Sequence, residues 1–117
     1  MSVYKLYAVW THPDDVEAFE KHYVEVHAPL AAAIPGLERL VLTRTSESLG
    51  EHPSPFHRIA ELWFADADAL EAAKASPELE AAAKDAREMQ ERFNVILHSP
   101  AGAPVDSALG PFVSRAD

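Results

Sequence analysis

Apolar and polar positions along this chain follow two periods that alternate in a definite order. Apolar residues recur at every second position, or form short runs rich in strand formers, over four segments that predict strands: residues 3–10, 37–45, 56–65 and 93–98. Between the first two segments, apolar residues spaced three and four apart run from Val16 to Leu30 and predict a helix with one apolar face. A short helix over 67–75 and a longer one over 76–91 precede the last strand. The resulting order, βαββαβ, predicts a ferredoxin-like α+β fold with a four-stranded antiparallel sheet.

Local signals predict where the helices begin and end. Thr11 is an expected N-cap with Pro13 in the first helical turn, and Pro29 is expected to end that helix because it biases the preceding residue away from helical geometry. Asp66 is expected to cap the short helix, and Ser76 lies where the longer one begins. The second strand therefore follows a proline break.

Two main helices can cover only one face of a four-stranded sheet, so the other face must meet water or a partner. Alternation along the third strand divides its side chains between the two faces. One set is wholly apolar and is expected under the helices: Ala60, Leu62 and Phe64. The other set is mixed and suits the wall of a partly apolar cavity: His57, Ile59, Glu61 and Trp63. A homodimer that packs sheet against sheet would close this face.

Composition and charge limit the function classes. The 117 residues, 48% of them hydrophobic, suit one ordinary domain. A net charge of -9 argues against nucleic acid and anionic membrane surfaces as partners, because both bind basic patches. The chain has no long apolar run and no signal-like start, so we expect a cytoplasmic protein. The absence of cysteine excludes thiolate catalysis and thiolate metal sites. A neutral or weakly anionic small molecule, or another protein, is the expected partner.

His27 is the leading candidate for chemistry. An imidazole acts as acid or base near neutral pH, and His27 lies on or beside the apolar stripe of the first helix, four residues after Tyr23. We expect it to point inward. The alternative is structural, with the ring bonded to a backbone carbonyl so that it fastens the helix end.

Glu61 is the second candidate, as a base or hydrogen-bond acceptor beside Trp63. A salt bridge to an arginine of a neighbouring strand is the alternative, with Arg39, Arg44 and Arg58 as possible partners. His57, Tyr7 and Trp63 are candidates for binding a ring-shaped substrate. Their alternatives are a solvent-facing strand end for His57 and ordinary core or dimer packing for the two aromatic residues.

Six histidines raise the question of a metal site. His22 and His27 are five residues apart, which in an α-helix separates them by about 140° and prevents joint ligation from one face. The other histidines have no recognisable ligand spacing, and no nucleotide-binding or phosphate-loop motif occurs. We therefore expect no metal, haem or other cofactor.

Several short segments resemble the EthD family of the dimeric ferredoxin-like, or α/β-barrel, superfamily. They read HYVEVHAPL at 22–30, PGL at 35–37, IAELWF at 59–64, ALEA at 69–72 and SPE at 76–78. The resemblance implies a domain over residues 1–98 and a homodimer whose sheets pack into a barrel. It also implies a pocket in each subunit between sheet and helices. Residues 99–117 form an extension with apolar positions among prolines and glycines, and we expect it to pack on the body or on the partner subunit.

The resemblance implies a cofactor-independent isomerase, cyclase or related enzyme, including the cofactor-free oxygenase type. Its substrate would be a small cyclic or aromatic hydrophobic metabolite such as a lactone, quinone or polyketide. His27 would move a proton and Glu61 would assist, while substrate contacts are expected from Tyr7, Tyr23, His57 and Trp63. The alternatives are a non-catalytic small-molecule-binding accessory protein and a structural dimer with a filled barrel.

This sequence departs from the family pattern at two places. Tyr23 stands where a tryptophan is expected, and Leu40 and Leu42 of the second strand stand where family members often carry polar residues. A pocket lined by that strand is drier than usual, which favours an apolar ligand.

Overall fold

The computed structural model describes residues 3–105, and its elements follow the predicted order with one added strand. The strands are β1 (Tyr4–Thr11), β2 (Arg39–Arg44), β3 (Phe56–Phe64), β4 (Leu97–His98) and β5 (Ala101–Gly102). The helical elements are α1 (Val16–His22), a π-helical segment (Tyr23–His27), α2 (Ala28–Ala32), α3 (Ala67–Lys74) and α4 (Pro77–Phe93). No helix in this described part is long and apolar enough to cross a membrane.

The sheet confirms the ferredoxin-like fold. Its strands lie in the order β2-β3-β1-β4, and every pairing is antiparallel. β5 was not predicted; it pairs with β1, and the N–H of Tyr7 donates to the carbonyl of Pro100 at 2.8 Å. The extension that was predicted over residues 99–117 therefore begins as a strand beside β1. Residues 106–117, and with them the rest of the predicted packing, lie outside the described residues.

The first helix begins later than the sequence suggested. Thr11 is the last residue of β1, not an N-cap, and its hydroxyl accepts from the N–H of Ile96 at 2.8 Å. Asp15 is the N-cap, because its carboxylate accepts from the N–H of Ala18 at 3.1 Å. The predicted cap was wrong because Thr11 is used by the sheet.

The predicted break at Pro29 was also wrong. Ala28 keeps right-handed helical geometry, and α2 continues through Pro29 to Ala32. The turn before the proline widens instead, since the N–H of Ala28 donates to the carbonyl of Tyr23, five residues earlier. A proline ring in a regular α-helix clashes with the carbonyl four residues before it, and a π-turn relieves this clash without ending the helix.

The predicted cap of α3 and the predicted start of α4 are confirmed. Asp66 accepts from the N–H of Ala69, and Ser76 accepts from that of Leu79. The long helix runs on to Phe93 and ends at Asn94, whose φ of 53° is left-handed. The fourth strand is only two residues long: Phe93 ends α4, Asn94 caps it, and residues 95–96 connect the helix to the strand.

The division of β3 between two faces is confirmed for most of its residues. Ala60, Leu62 and Phe64 are buried beneath the helices. Glu61 lies opposite Tyr7 of β1 and Val41 of β2, on the face that the helices do not cover. This second face is called the open face below.

His57 departs from the predicted division. The pairing of β1 with β3 shifts at a bulge between Trp10 and Thr11, close to the start of β3. The His57 ring lies 5.5 Å from that of Phe19 in α1 and is 95% buried. His57 therefore packs against a helix and not beside Trp63 on the open face.

Candidate functional site

A cavity of about 230 Å³ lies between the sheet and the helices. Its walls are predominantly aliphatic and include Leu6, Leu40, Leu42, Leu62, Ala31 and Ala82. Leucines of β2 line it, as the departure from the family pattern suggested. An apolar cavity of about 150 Å³ suffices to take up benzene, so this one has room for a single ring or for two fused rings. It suits a ligand smaller than the drug-sized molecules held by pockets of roughly 300–1,000 Å³.

His27 contributes a polar group to this apolar cavity. It lines the cavity from the end of the π-helical segment, and only 9% of its surface is exposed. Its Nδ1 lies 2.9 Å from Oδ2 of Asp85 on α4. The expected inward orientation is confirmed, whereas the alternative of a bond to a backbone carbonyl is not observed among residues 3–105.

The Asp85 carboxylate fixes the state of the His27 ring. A carboxylate accepts hydrogen bonds only, so the Nδ1–H donates to it and the neutral ring carries its free lone pair on Nε2. Burial lowers the pKa of His27 below its usual value, although the hydrogen bond and charge of Asp85 oppose that shift. Within residues 3–105, Nε2 forms no hydrogen bond. His27 is thus a neutral imidazole with an available basic nitrogen.

The same carboxylate also binds His22. Nε2 of His22 lies 2.9 Å from Oδ1 of Asp85, so both histidines reach one residue of α4. The prediction that they diverge by about 140° was wrong because it assumed regular α-helical geometry. In the π-helical segment hydrogen bonds join residues five apart, which brings such residues onto one side. Hydrogen bonds through Asp85 therefore connect His27 at the cavity with His22, which borders a surface groove.

Asp85 was missed by the sequence reasoning. It lies three residues after Ala82 and four before Met89, both buried members of the apolar stripe of α4. A carboxylate at helical spacing within such a stripe is a signal for a buried partner. The identity of that partner could not be predicted, because His27 lies 58 residues away in sequence.

Two aromatic residues complete the polar end of the cavity. Tyr23 lines it and stacks on His27, with ring centroids 5.9 Å apart. Burial raises the pKa of Tyr23 to about 12, so the phenol stays protonated. Trp10 also lines the cavity; its ring stands nearly perpendicular to that of His27, with centroids 5.3 Å apart. Of the predicted substrate-binding residues, Tyr23 therefore reaches the cavity.

Glu61, Tyr7 and Trp63 do not line the cavity and lie instead on the open face. Nζ of Lys5 donates to Oε1 of Glu61 at 3.2 Å and lies 4.4 Å from the centre of the Trp63 ring. The salt bridge proposed as the alternative for Glu61 is formed, but with a lysine of β1 and not with an arginine. The sheet separates Glu61 from His27.

His57 belongs to a second polar cluster on the helix side. Its Nε2 lies 2.8 Å from Oε2 of Glu20, and Arg58 donates to both oxygens of Glu20, at 3.0 and 2.6 Å. The bond to Arg58 is the main cause that lowers the pKa of Glu20. The Arg58 guanidinium lies 4.6 Å from the centre of the Tyr23 ring. This cluster joins α1 to β3 and does not line the cavity.

Residues 3–105 contain no group of three or more histidine, aspartate or glutamate side chains arranged to hold a metal ion.

Comparison with protein families and curated proteins identifies relatives of this chain. The model of the EthD domain matches residues 12–92. An uncharacterized 11.0 kDa protein of the thcB-thcC intergenic region in Rhodococcus erythropolis is 35% identical over 83 residues, which span 71% of this chain and 80% of that protein.

Solved structures with the same fold include a relative with similar sequence. An EthD family protein of Bacillus halodurans C-125 is 32% identical, with a TM-score of 0.79 over 88% of this chain and 99% of its own. A dabb family protein with a ferredoxin-like fold from Mesorhizobium loti has a TM-score of 0.64 at 14% identity, over 91% and 100% of the two chains. SnoaB, a cofactor-independent oxygenase of Streptomyces nogalater, has a TM-score of 0.56 at 19% identity, over 92% and 95%. The last two likenesses show the fold alone.

Proposed function

This chain belongs to the EthD family, and we propose that its cavity binds a small cyclic or aromatic hydrophobic metabolite on which His27 acts as a general base. The observation that carries the proposal is the His27–Asp85 pair. One ring nitrogen is held by a carboxylate, while the other has no partner among the described residues and belongs to a ring that lines an apolar cavity. Catalytic bases are commonly positioned in this way.

The chemical step that suits this arrangement is proton removal from the bound metabolite. A C–H bond next to a carbonyl breaks, the proton goes to Nε2 of His27, and the electron pair passes onto the carbonyl oxygen. Return of the proton to another carbon completes an isomerisation, and attack of the anion on an internal electrophile completes a cyclisation. Asp85 favours the step because its charge stabilises the imidazolium that forms.

The family relation and the fold neighbours are compatible with this chemistry. SnoaB, with the same fold, is a cofactor-independent oxygenase. In this chain, an oxygenase reaction would use dioxygen as the co-reactant of the anion that His27 forms. We propose isomerase, cyclase or cofactor-independent oxygenase activity for this chain, without metal or organic cofactor. We also propose a homodimer that covers the open face.

Binding is tested with tetralin, an apolar molecule of two fused six-membered rings. A ligand that binds only the folded state raises Tm. Wild type and Ala81→Phe, which changes an exposed position of α4, are expected to gain Tm with tetralin. Ala82→Phe fills the cavity from the adjacent buried position and is expected to gain none. Equal gains in the two variants would contradict binding in this cavity.

Catalysis is tested with 2-tetralone in D₂O, by following deuterium exchange at the carbon next to the carbonyl by NMR. Wild type is expected to exceed buffer, and His27→Gln is expected to lose about 100-fold or more of that enhancement while tetralin still binds. His52→Gln, at an exposed loop position, is the matched control. Full exchange in His27→Gln would remove His27 from the role of base.

The second candidate function is a non-catalytic binding protein. It is favoured by one observation: among the described residues that line the cavity, His27 is the acid–base group active near neutral pH, since the Tyr23 phenol stays protonated and Glu61 lies across the sheet. Tetralin binding together with no exchange above buffer in wild type would favour this function over catalysis.

A further inference from the structure

The Asp85 carboxylate receives hydrogen bonds from two histidines, and one of them has no place yet in the proposed function. Nδ1 of His27 lies 2.9 Å from Oδ2 of Asp85. Nε2 of His22 lies 2.9 Å from Oδ1 and 3.0 Å from Oδ2 of the same carboxylate. His22 borders a surface groove and does not line the cavity. Its influence on the cavity is therefore exerted through Asp85.

The neighbours of His22 fix which of its ring nitrogens carries the hydrogen. A carboxylate accepts hydrogen bonds only, so Nε2 of His22 donates to Asp85. A guanidinium donates only, and Nη1 of Arg92 lies 3.4 Å from Nδ1 of His22, so Nδ1 carries the lone pair. Both contacts thus require the same neutral tautomer of His22, with the hydrogen on Nε2. His27 has the opposite tautomer, with its hydrogen on Nδ1.

This arrangement holds the Asp85 carboxylate in place and does not form a proton relay to the surface. A proton that passed from His27 through Asp85 would need a free lone pair on Nε2 of His22, but that atom already carries a hydrogen. The carboxylate therefore keeps its charge while both rings donate to it. Its Oδ2 accepts from Nδ1 of His27, which leaves the lone pair of that ring on Nε2.

Arg92 is an alternative partner for the Asp85 carboxylate on its own helix. The two residues are seven apart in α4, about two turns, and so lie on the same face. Because the His22 ring contacts Asp85 through Nε2 and Arg92 through Nδ1, it lies between the carboxylate and the guanidinium. Without that ring, the carboxylate is expected to turn towards Arg92 and the water of the groove, away from His27.

We propose that His22 is a positioning residue: it holds Asp85 where Oδ2 accepts from Nδ1 of His27, and so keeps His27 in the tautomer whose basic nitrogen is Nε2. This inference rests on the proposed function, in which Nε2 of His27 removes a proton. A neutral His27 ring with its hydrogen on Nε2 has no base at that atom. Loss of the favoured tautomer therefore lowers the rate while the cavity stays intact.

The first test determines both tautomers in the wild-type protein. Long-range ¹H–¹⁵N NMR spectra distinguish the two neutral tautomers of each histidine. At a pH where both rings are neutral, His27 is expected to carry its hydrogen on Nδ1 and His22 on Nε2. His22→Gln and His27→Gln each remove one set of signals and so assign them among the six histidines. A hydrogen on Nδ1 of His22 would overturn the inference, because that ring could not donate to Asp85.

Two substitutions of His22 separate its hydrogen bond from its packing. The His22 ring lies 5.8 Å from that of Phe93, and His22→Phe keeps an aromatic ring there without a donor. This variant is expected to shift part of His27 to the other tautomer and to lower the enhancement of 2-tetralone exchange by about tenfold, mainly through kcat. His22→Gln keeps an amide N–H near the position of Nε2 and is expected to stay within about twofold of wild type. Lys21→Gln, at the preceding exposed position, is the matched control.

The outcomes distinguish the positioning role from the proposed function. An unchanged His27 tautomer and rate in folded His22→Phe would overturn the positioning role. A loss in His22→Gln as large as that in His22→Phe would also overturn it, because the amide keeps the donor. Tetralin is expected to raise the Tm of these variants as it does for wild type. If wild type shows no exchange above buffer, the proposed catalysis fails, while the two tautomers still decide whether His22 holds Asp85.

Discussion

Two carboxylates on the helix side of this molecule have similar surroundings but different partners. Glu20 binds His57 and Arg58, and Asp85 binds His22 and His27. The two carboxylate side chains are buried to a similar degree, with 16% and 14% of their surfaces exposed. The difference lies in the partners: the Glu20 cluster includes a permanently charged guanidinium, whereas both partners of Asp85 are imidazoles.

This difference separates a structural cluster from a candidate catalytic one. The bidentate contact between Arg58 and Glu20 fixes α1 on β3 with charges that do not change over the physiological pH range. The Asp85 cluster borders the cavity through His27, where a proton can be gained and lost. Buried ion pairs alone do not mark a functional site; a titratable group that reaches a cavity is the more specific sign.

Glu20→Gln is expected to have the largest effect on stability. It leaves the Arg58 guanidinium, with 11% of its side chain exposed, without its anion. Breaking a buried pair in this way costs about 3–5 kcal/mol, and the partial exposure of both side chains favours the low end. Denaturant unfolding measures the change. Glu25→Gln, at an exposed position, is the control and is expected to stay within about 0.5 kcal/mol of wild type. Equal stabilities would contradict a structural role for Glu20.

Asp85→Asn is expected to change the titration of His27 more than the stability of the fold. The hydrogen bond and charge of Asp85 raise the pKa of His27, so their loss lets burial lower that pKa further. An NMR titration of the His27 ring measures this shift. Glu88→Gln, one turn along α4 at an exposed position, is the matched control and is expected to leave the titration unchanged. A higher His27 pKa in Asp85→Asn would contradict the account.

The two clusters are also expected to lose stability in different pH windows. The folded pKa of His27 lies below 6.5, so as pH falls below 6.5 the unfolded chain takes up a proton first and stability decreases. The folded pKa of Glu20 lies below 4.5, so its contribution is complete above 4.5 and is lost as pH falls through the folded pKa. Unfolding free energies measured against pH should therefore show two declines.

Variants assign each decline to its group. His27→Gln is expected to remove the first decline and retain the second, whereas His52→Gln, which alters an exposed loop residue, is expected to retain both. If His27→Gln kept the whole loss of unfolding free energy below pH 6.5, that loss would belong to another histidine.

Glu61→Gln is expected to have the smallest effect. The pair with Lys5, on the open face, is partly exposed and worth less than about 1 kcal/mol. Deuterium exchange of 2-tetralone and the Tm gain with tetralin should remain at wild-type values, because the sheet separates Glu61 from the cavity. A rate lost with retained affinity would restore Glu61 as a catalytic residue.

The fold was predictable because its signals are local. Alternation in β3 placed Ala60, Leu62 and Phe64 on one face. Asp66 was correctly predicted as a cap, and Ser76 correctly marked the start of the long helix. Errors arose where a residue type suits two different structural roles. Thr11 suits an N-cap but is used by the sheet, and Pro29 suits a helix break but is accommodated by a π-turn.

The site was predictable only in part, because it is made by distant pairs. His27 and Tyr23 follow from their positions on one helix, and they reach the cavity. Asp85 could not be paired with His27 by local spacing, and the π-turn that brings in His22 was not foreseen. Alternation correctly placed Glu61 and Trp63 on one face, but it could not show which face of the sheet borders the cavity.

The central claim is that the ligand site lies on the helix side of the sheet, and a crystal structure of the complex with 2-tetralone tests it most directly. The account predicts electron density for the rings inside the cavity, with the carbon adjacent to the ketone next to His27 Nε2. Density for the ligand on the open face, against Glu61 and Trp63 with the cavity empty, would contradict it.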